Sequence, residues 1–174
     1  DQVWVQPAAG DAGAALGAAL WIDRQQRPAP APRWRMRHAY WGPEYSDDAL
    51  RQFLDWAKLP YRVLDDPSAQ VAGILADDRI IGWFQGRMEF GPRALGARSI
   101  IASPLSADMQ ERLNELKDRE DFRPVAPAIP VDDLADWFEP AEANGGASPF
   151  MLFVYRARAH QARRIPAACH VDAT

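Results

Sequence analysis

Cysteine is almost missing. Cys169 is the only one in 174 residues, so no internal disulfide can form and a reducing, cytoplasmic setting is expected. The three histidines, His38, His160 and His170, lack metal-ligand spacing, and no cysteine pair accompanies them, which argues against a zinc site. No apolar run approaches the roughly 20 residues that a membrane span requires. A basic excess is missing too: 20 Lys and Arg face 24 Asp and Glu, for a net charge of −4 and a pI near 5.4. That balance excludes a surface coated in cations for a nucleic-acid backbone or an anionic membrane, so any anion site has to be local. The seven tryptophans show no repeat and read as core or interdomain packing.

What is present is globular material. Hydrophobic residues make up 48% and charged residues 25%, which fits neither disorder nor a fibre. At 19.4 kDa the chain has the size of one domain with a fragment of a second. It opens on Asp1 rather than Met, and DQVWVQPAAGDAG reads as a strand entering a Gly-rich loop, as at a cut inside a larger protein. Asp11 is expected to N-cap a helix over residues 12–20. Such a unit either offers helix N-terminal N–H groups to a ligand or is the last βα unit of a sheet; the residues leave both open.

Residues 24–37 hold Arg24, Arg27, Arg33, Arg35 and Arg37 around Pro28, Pro30 and Pro32. Alternating prolines impose an extended path, so a domain boundary is placed there. With Trp34 and Trp41 the run reads as a basic linker on an acidic neighbour or as a single-strand nucleic-acid contact. Beyond it the pattern turns regular. Ser46 caps a helix with Leu50, Phe53, Leu54 and Ala57 on one stripe, residues 61–64 read as a strand, and Asp66 and Pro67 start a helix running to Ala76. Residues 80–85 read as a buried strand, which implies an α/β layer fold. Ser106 or Asp108 is expected to cap a helix carrying Met109, Leu113 and Leu116. Strands follow at 126–131, 150–155 and 165–171, with a short helix at 132–138 and a loop at 139–148.

The informative block is GRMEFGPRALGARSIIASPLS, residues 86–106. Gly86, Gly91 and Gly96 alternate with Arg87, Arg93 and Arg98. Glycine permits tight turns, and arginine forks bind phosphate or carboxylate oxygens bidentately. Between Arg79 and Leu105 four arginines face one acid, Glu89, in an otherwise acidic chain. Glu89 reads either as a partner orienting the arginine forks or as a general base. Lys117, Arg119 and Arg123 follow in KDREDFR, offset by Asp118, Glu120 and Asp121. They read as a solvated helix end or, taken with the first cluster, as a cradle for a ligand with several phosphates.

These residues resemble a known family. Residues 86–100, followed by Asn114, Lys117, Asp118, Arg119, Glu120 and FRPVAP at 122–127, resemble the C-terminal part of the NodU/TobZ-type O-carbamoyltransferases, and the likeness extends over nearly the whole chain. It includes VQPAAGDAG at 5–13, WGPEY at 41–45, SPFML at 148–152 and PAACHVDAT at 166–174. The resemblance implies residues 1–23 as the end of an actin/sugar-kinase-like carbamoyl-transfer domain and 24–37 as a linker. It implies residues 38–174 as a YrdC-like domain, an open twisted mixed sheet with flanking helices, lacking its C-terminal tail. The implied chemistry is formation of carbamoyl-adenylate from carbamoyl phosphate and ATP, for transfer to a hydroxyl of a sugar or antibiotic-like small molecule. Arg93, Lys117 and Arg119 are then catalytic, and Arg87, Arg98, Arg123, Ser99 and Ser148 complete the phosphate-binding set. Mg²⁺ accompanies ATP. Asp11 resembles an aspartate that, with two histidines outside this chain, holds iron or another divalent metal in the first domain. The expected partners are the preceding carbamoyl-transfer domain and the hydroxyl acceptor, with neither nucleic acid nor membrane. Two alternatives stand beside this reading: a silent ATP- or anion-binding regulatory module, and an RNA-binding YrdC-like domain. His170 and Asp172 read as a proton-handling pair or as turn chemistry, and Cys169 as a small hydrophobe.

Overall fold

The computed structural model describes residues 5–27, 34–139 and 147–174. Most of the expected opening strand, the prolines at 28, 30 and 32, and the Asn144, Gly145 and Gly146 turn lie outside them. The described residues are α/β, with helices and two separate two-stranded sheets. They divide into two compact units, one of residues 1–59 with 84–99 and one of residues 60–83 with 100–174.

In the first unit, α1 (Asp11–Gln26) starts from Gly10 with no side-chain cap, so Asp11 is the first helical residue rather than the cap. The helix also runs past residue 20 to Gln26, closed by an ion pair of Arg27 to Asp23 at 2.7 Å. α2 (Asp47–Trp56) is capped as expected: Ser46 Oγ accepts from Ala49 N at 3.2 Å. Neither helix has a buried residue, and Phe53 on the apolar stripe of α2 is 56% exposed. The unit's buried residues are Met36, Ala39 and Ala97; Ala97 lies in the basic loop at 86–99, and the Ala39 carbonyl accepts from Phe90 N of that loop.

The second unit contains α3 (Pro67–Ala76), capped by Asp66 Oδ1 accepting from Ala69 N at 3.0 Å, with Pro67 as its first residue. Proline belongs there, where its missing N–H has no intrahelical partner to lose. β1 (Ile81–Phe84) pairs with β2 (Arg98–Ile101). β1 alternates half-buried and exposed residues instead of being buried throughout. α4 (Met109–Leu116) buries Met109, Leu113 and Asn114 but leaves Leu116 exposed. Neither expected side chain caps it. The carbonyl of Ser106 accepts from Met109 N, while the Ser106 hydroxyl donates to Asp78.

A 3₁₀ turn at Val131–Asp133 leads into α5 (Leu134–Trp137) and β3 (Phe138–Glu139). β3 pairs antiparallel with β4 (Arg156–Ala157) in the register Phe138 to Ala157 and Glu139 to Arg156. α6 (Ala159–Ala162) and a 3₁₀ turn at Pro166–Ala168 follow. Leu134, Phe138, Ala157 and Ile165 form one core, and Met109, Leu113 and Ala167 a second.

Four expected strands are corrected by this arrangement. Residues 61–64, 126–131 and 150–155 are not in a strand, and within 165–171 the regular structure is a 3₁₀ turn at Pro166–Ala168. Phe153 and Val154 are exposed rather than buried. The larger twisted sheet that the resemblance implies is not formed by the described residues, which pair strands only two by two.

Candidate anion-binding site

The basic loop at 86–99 is built around one carboxylate. Glu89 Oε1 accepts from Leu95 N at 2.5 Å and from Ala97 N at 2.8 Å, tying both ends of the turn that displays Arg93. Partial burial pushes the Glu89 pKa up. The amides of Leu95, Ala97, Glu89 itself and Arg98 outweigh that and hold it below the ordinary carboxylate value. Glu89 is therefore a loop staple. It makes no contact with an arginine fork among the described residues, contrary to the expected pairing with Arg87 and Arg93.

Glycine is required where the loop turns. Gly91 sits at φ +106°, and a Cβ there would lie 2.5 Å from Ala8 Cβ. Gly96 sits at φ +105°, and its N–H donates to Ser99 Oγ at 3.0 Å. Side chains strain both positions.

The arginines divide by what they already hold. Arg98 donates to the carbonyls of Gln85 and Ala97, both at 2.9 Å, and of Gly86 at 3.1 Å. Its guanidinium also lies 3.5 Å over the Phe84 ring. It frames the loop. Arg87 Nε donates to Gly42 O at 3.3 Å and keeps its other nitrogens exposed. Arg93 is exposed and has no partner among the described residues.

A parallel construction occupies the second unit. Asn114 is fully buried. Its Nδ2 donates to the carbonyls of Asp121 and Arg123, both at 2.9 Å, and its Oδ1 accepts from Arg119 Nε at 2.5 Å. These bonds fold residues 117–124 back on the end of α4, with Asp118 at φ +48°. Arg119 also donates to Pro124 O at 3.5 Å, and Arg123 pairs with Glu120 at 2.9 Å on the surface. Lys117 remains exposed without a partner among the described residues. Ser148 Oγ is buried and makes no hydrogen bond, as is Tyr155 Oη. Each is a polar atom with unused bonding capacity, which buried groups rarely leave unmet.

Of the sequence-derived site, Arg87, Arg93, Arg98, Ser99 and Asp11 fall in the first unit, and Lys117, Arg119, Arg123 and Ser148 in the second. Asp11 is exposed at the start of α1 and has no hydrogen-bond partner among the described residues. No group of three or more His, Cys, Asp or Glu suited to a metal occurs among the described residues. Asp11 alone does not make a metal centre. Glu89 and Asn114 organise the two loops, roles that the sequence reading did not assign to them. An Asn inside a helix, where its propensity is poor, was the available signal for the second.

His170 and Asp172 serve a turn. Asp172 Oδ1 accepts from Thr174 Oγ1 at 2.7 Å and Thr174 N at 3.1 Å, and lies 3.2 Å from His170 Nδ1. The Thr174 hydroxyl, the Thr174 amide and His170 together bring the Asp172 pKa down to about 2. A carboxylate held low stabilises the fold above its unfolded pKa and loses that contribution as pH falls through the folded value. The turn should therefore be intact at neutral pH and open only as pH falls toward about 2. The pH titration of the Thr174 amide shift checks this, and a midpoint near 4 would refute it. Cys169 packs half-buried against the first core, and burial raises its thiol pKa, as suits a hydrophobe. No described helix is long and apolar enough to cross a membrane.

Comparison with known proteins gives a consistent set. The family model described as Carbamoyltransferase C-terminus matches residues 72–174. The chain is 42% identical to Nodulation protein NolO of Bradyrhizobium diazoefficiens over 178 residues, covering 100% of this chain and 32% of that protein. It is 37% identical to Nodulation protein U of the same organism over 172 residues, covering 99% and 28%. It is 36% identical to the 3'-hydroxymethylcephem-O-carbamoyltransferase of Amycolatopsis lactamdurans over 170 residues, covering 98% and 30%. The chain thus spans about a third of the length of the curated relatives it matches.

Proposed function

Because the chain belongs to the carbamoyltransferase C-terminus family, we propose that it is the activating part of an O-carbamoyltransferase, a YrdC-like domain that makes carbamoyl-adenylate for transfer to a small-molecule hydroxyl. The observation that carries this reading is Arg93, a free guanidinium held at the tip of a loop whose Glu89 staple and Arg98 frame fix its backbone. Water releases carbamate and phosphate from carbamoyl phosphate. A carbamate oxygen then attacks the α-phosphorus of ATP, and pyrophosphate leaves.

Two anions have to meet in that step, so the protein must neutralise charge and align the reactants. Of the candidate site residues, Arg93 in the first unit and Lys117 in the second are exposed cations without a partner among the described residues. Arg87 keeps part of its fork, and Ser99 keeps a hydroxyl proton to donate. The unbonded Ser148 hydroxyl supplies another donor. Arg98, Arg119 and Arg123 act through the loops they brace. Mg²⁺ would accompany ATP and neutralise phosphate charge, and no residue of this chain is assigned to hold it. The hydroxyl acceptor and the carbamoyl-transfer domain are partners of the whole protein, as is the metal toward which Asp11 would contribute one carboxylate.

The test is phosphorus NMR of the chain with Mg-ATP, with and without carbamoyl phosphate. Pyrophosphate that forms only with carbamoyl phosphate is the expected result. Perturbed ATP resonances without turnover would favour a silent binding module instead, and unperturbed resonances would remove the nucleotide reading. Arg93→Ala and Lys117→Ala should each weaken binding of ATP or carbamoyl phosphate by about tenfold, the worth of a charge-assisted hydrogen bond. Calorimetric titration that gave unchanged affinities in both would overturn the site assignment.

A further inference from the structure

Beside the basic loop the first unit holds four aromatic rings in the open. His38 is stacked between Trp41, at 4.9 Å and 21° between planes, and Tyr40, at 5.9 Å and 22°. Trp34 leans on Trp41 at 6.3 Å and 52°. Trp34 and Trp41 are 45% and 46% exposed, although Met36 and Ala39 of the same segment are buried. The segment therefore turns its small and flexible apolar residues inward and its flat rings outward, the reverse of what area burial alone favours.

The rings are also fixed in place. Trp41 Nε1 donates to His38 O at 2.8 Å, and Tyr40 Oη donates to Leu95 O at 2.7 Å, two residues past Arg93. Gly42 N to Met88 O, Met88 N to Pro43 O and Phe90 N to Ala39 O join this segment to the basic loop by its backbone. A Cβ on Gly42 would come within 2.2 Å of Met88 Cγ, so the two strands of chain lie as close as backbone allows. Arg35 and Arg37 lie between Trp34 and His38 in the sequence, exposed and without partners among the described residues.

From this juxtaposition we infer that the Trp34, His38, Tyr40 and Trp41 step is the subsite for the nucleobase of the nucleotide. The base stacks on the exposed indole faces, and its phosphates extend toward Arg35, Arg37 and the Arg93 loop. The inference rests on the nucleotide reading above and adds where the base goes. A planar aromatic base carrying several negative charges on its tail satisfies both halves of the site, because indole faces stack against it and guanidinium groups without a partner among the described residues neutralise the tail. An uncharged sugar would leave the arginines unused, and an acidic peptide would leave the rings bare. Stacking reads the flat face that every base shares, so this step selects for a base over no base and only weakly among bases.

The experiment compares ATP with inorganic tripolyphosphate, both with Mg²⁺, on the unaltered chain and on Trp41→Leu and Trp34→Leu. The unaltered chain should bind ATP about tenfold more tightly than tripolyphosphate, from stacking of one base. Each variant should lose most of that difference while tripolyphosphate affinity stays the same. Saturation transfer from aromatic protons of the chain to adenine H2 and H8 should fall in parallel. Equal affinity of the unaltered chain for the two ligands, or variants that bind ATP unchanged, would overturn the inference while leaving the anion site standing. Binding of neither ligand by the unaltered chain would instead overturn the nucleotide reading, and this inference with it. Unchanged tripolyphosphate binding also shows that a variant has kept its fold.

Discussion

Glu89→Ala is expected to reduce carbamoyl-phosphate-dependent pyrophosphate formation by about a hundredfold, the rate equivalent of roughly 2.7 kcal/mol. The cause is positional, since Glu89 touches no ligand in this reading. One carboxylate oxygen closes two amide bonds, to Leu95 and Ala97. Bonds from backbone N–H to an ionised acceptor are each worth about 1.5–3 kcal/mol, discounted here because the loop is partly exposed. Alanine removes both at once. Residues 91 and 96, at φ +106° and +105°, then have little to keep them in that geometry, and Arg93 must be ordered at the moment of binding at a backbone cost of about 1–2 kcal/mol per residue. Glu89→Gln retains a carbonyl oxygen for the same amides and should keep a substantial part of the rate. Hydrogen exchange at Leu95 and Ala97 separates this account from direct catalysis. Exchange should accelerate in Glu89→Ala and much less in Glu89→Gln. A lost rate with unchanged exchange would return Glu89 to the role of a base.

Asn114→Ala is expected to lower stability by about 1–3 kcal/mol, the range for removing a buried hydrogen-bonding group whose partners are only partly satisfied by others. Arg119 Nε loses its acceptor, and the carbonyls of Asp121 and Arg123 keep only the bonds from Gln110 Nε2, at 3.4 and 3.1 Å. The orientation of the amide follows from chemistry. Arginine can only donate, so the oxygen must face Arg119 and the nitrogen the two carbonyls. Asn114→Asp keeps the acceptor for Arg119 but removes both donors and buries a charge beside two carbonyls, so it should not rescue. Urea unfolding checks both variants. A midpoint unchanged by Asn114→Ala would mean that residues 117–124 hold their path without it.

Local chemistry was legible in the sequence, and long-range pairing was not. The Ser46 cap, the Asp66 and Pro67 start of α3 and the need for glycine at 91 and 96 all depend on backbone geometry within a few residues, which residue type constrains directly. The runs at 61–64, 126–131 and 150–155 have strand-like composition. Composition describes a surface that could pair, while pairing depends on a partner elsewhere in the chain. Prolines at 127 and 130 in the second run remove donors that a ladder would need. Glu89 was misread for a related reason. Its sequence neighbours are arginines, but the loop path carries the amides of residues 95 and 97 to it first. Arg93 and Lys117 were recognisable as cations, whereas their freedom from partners, against the engagement of Arg98 and Arg119, depends on where the carbonyls fall.

The approach of Gly91 to Ala8 ties the history of two distant positions together. Ala8 itself has φ +56°, a conformation that glycine adopts at less cost, and its methyl occupies the space that any side chain at 91 would need. Shrinking residue 8 to glycine would clear that space, yet the φ of +106° would still strain any side chain at 91. The turn is thus held to glycine twice over, once by its own backbone and once by a residue more than eighty positions upstream of it.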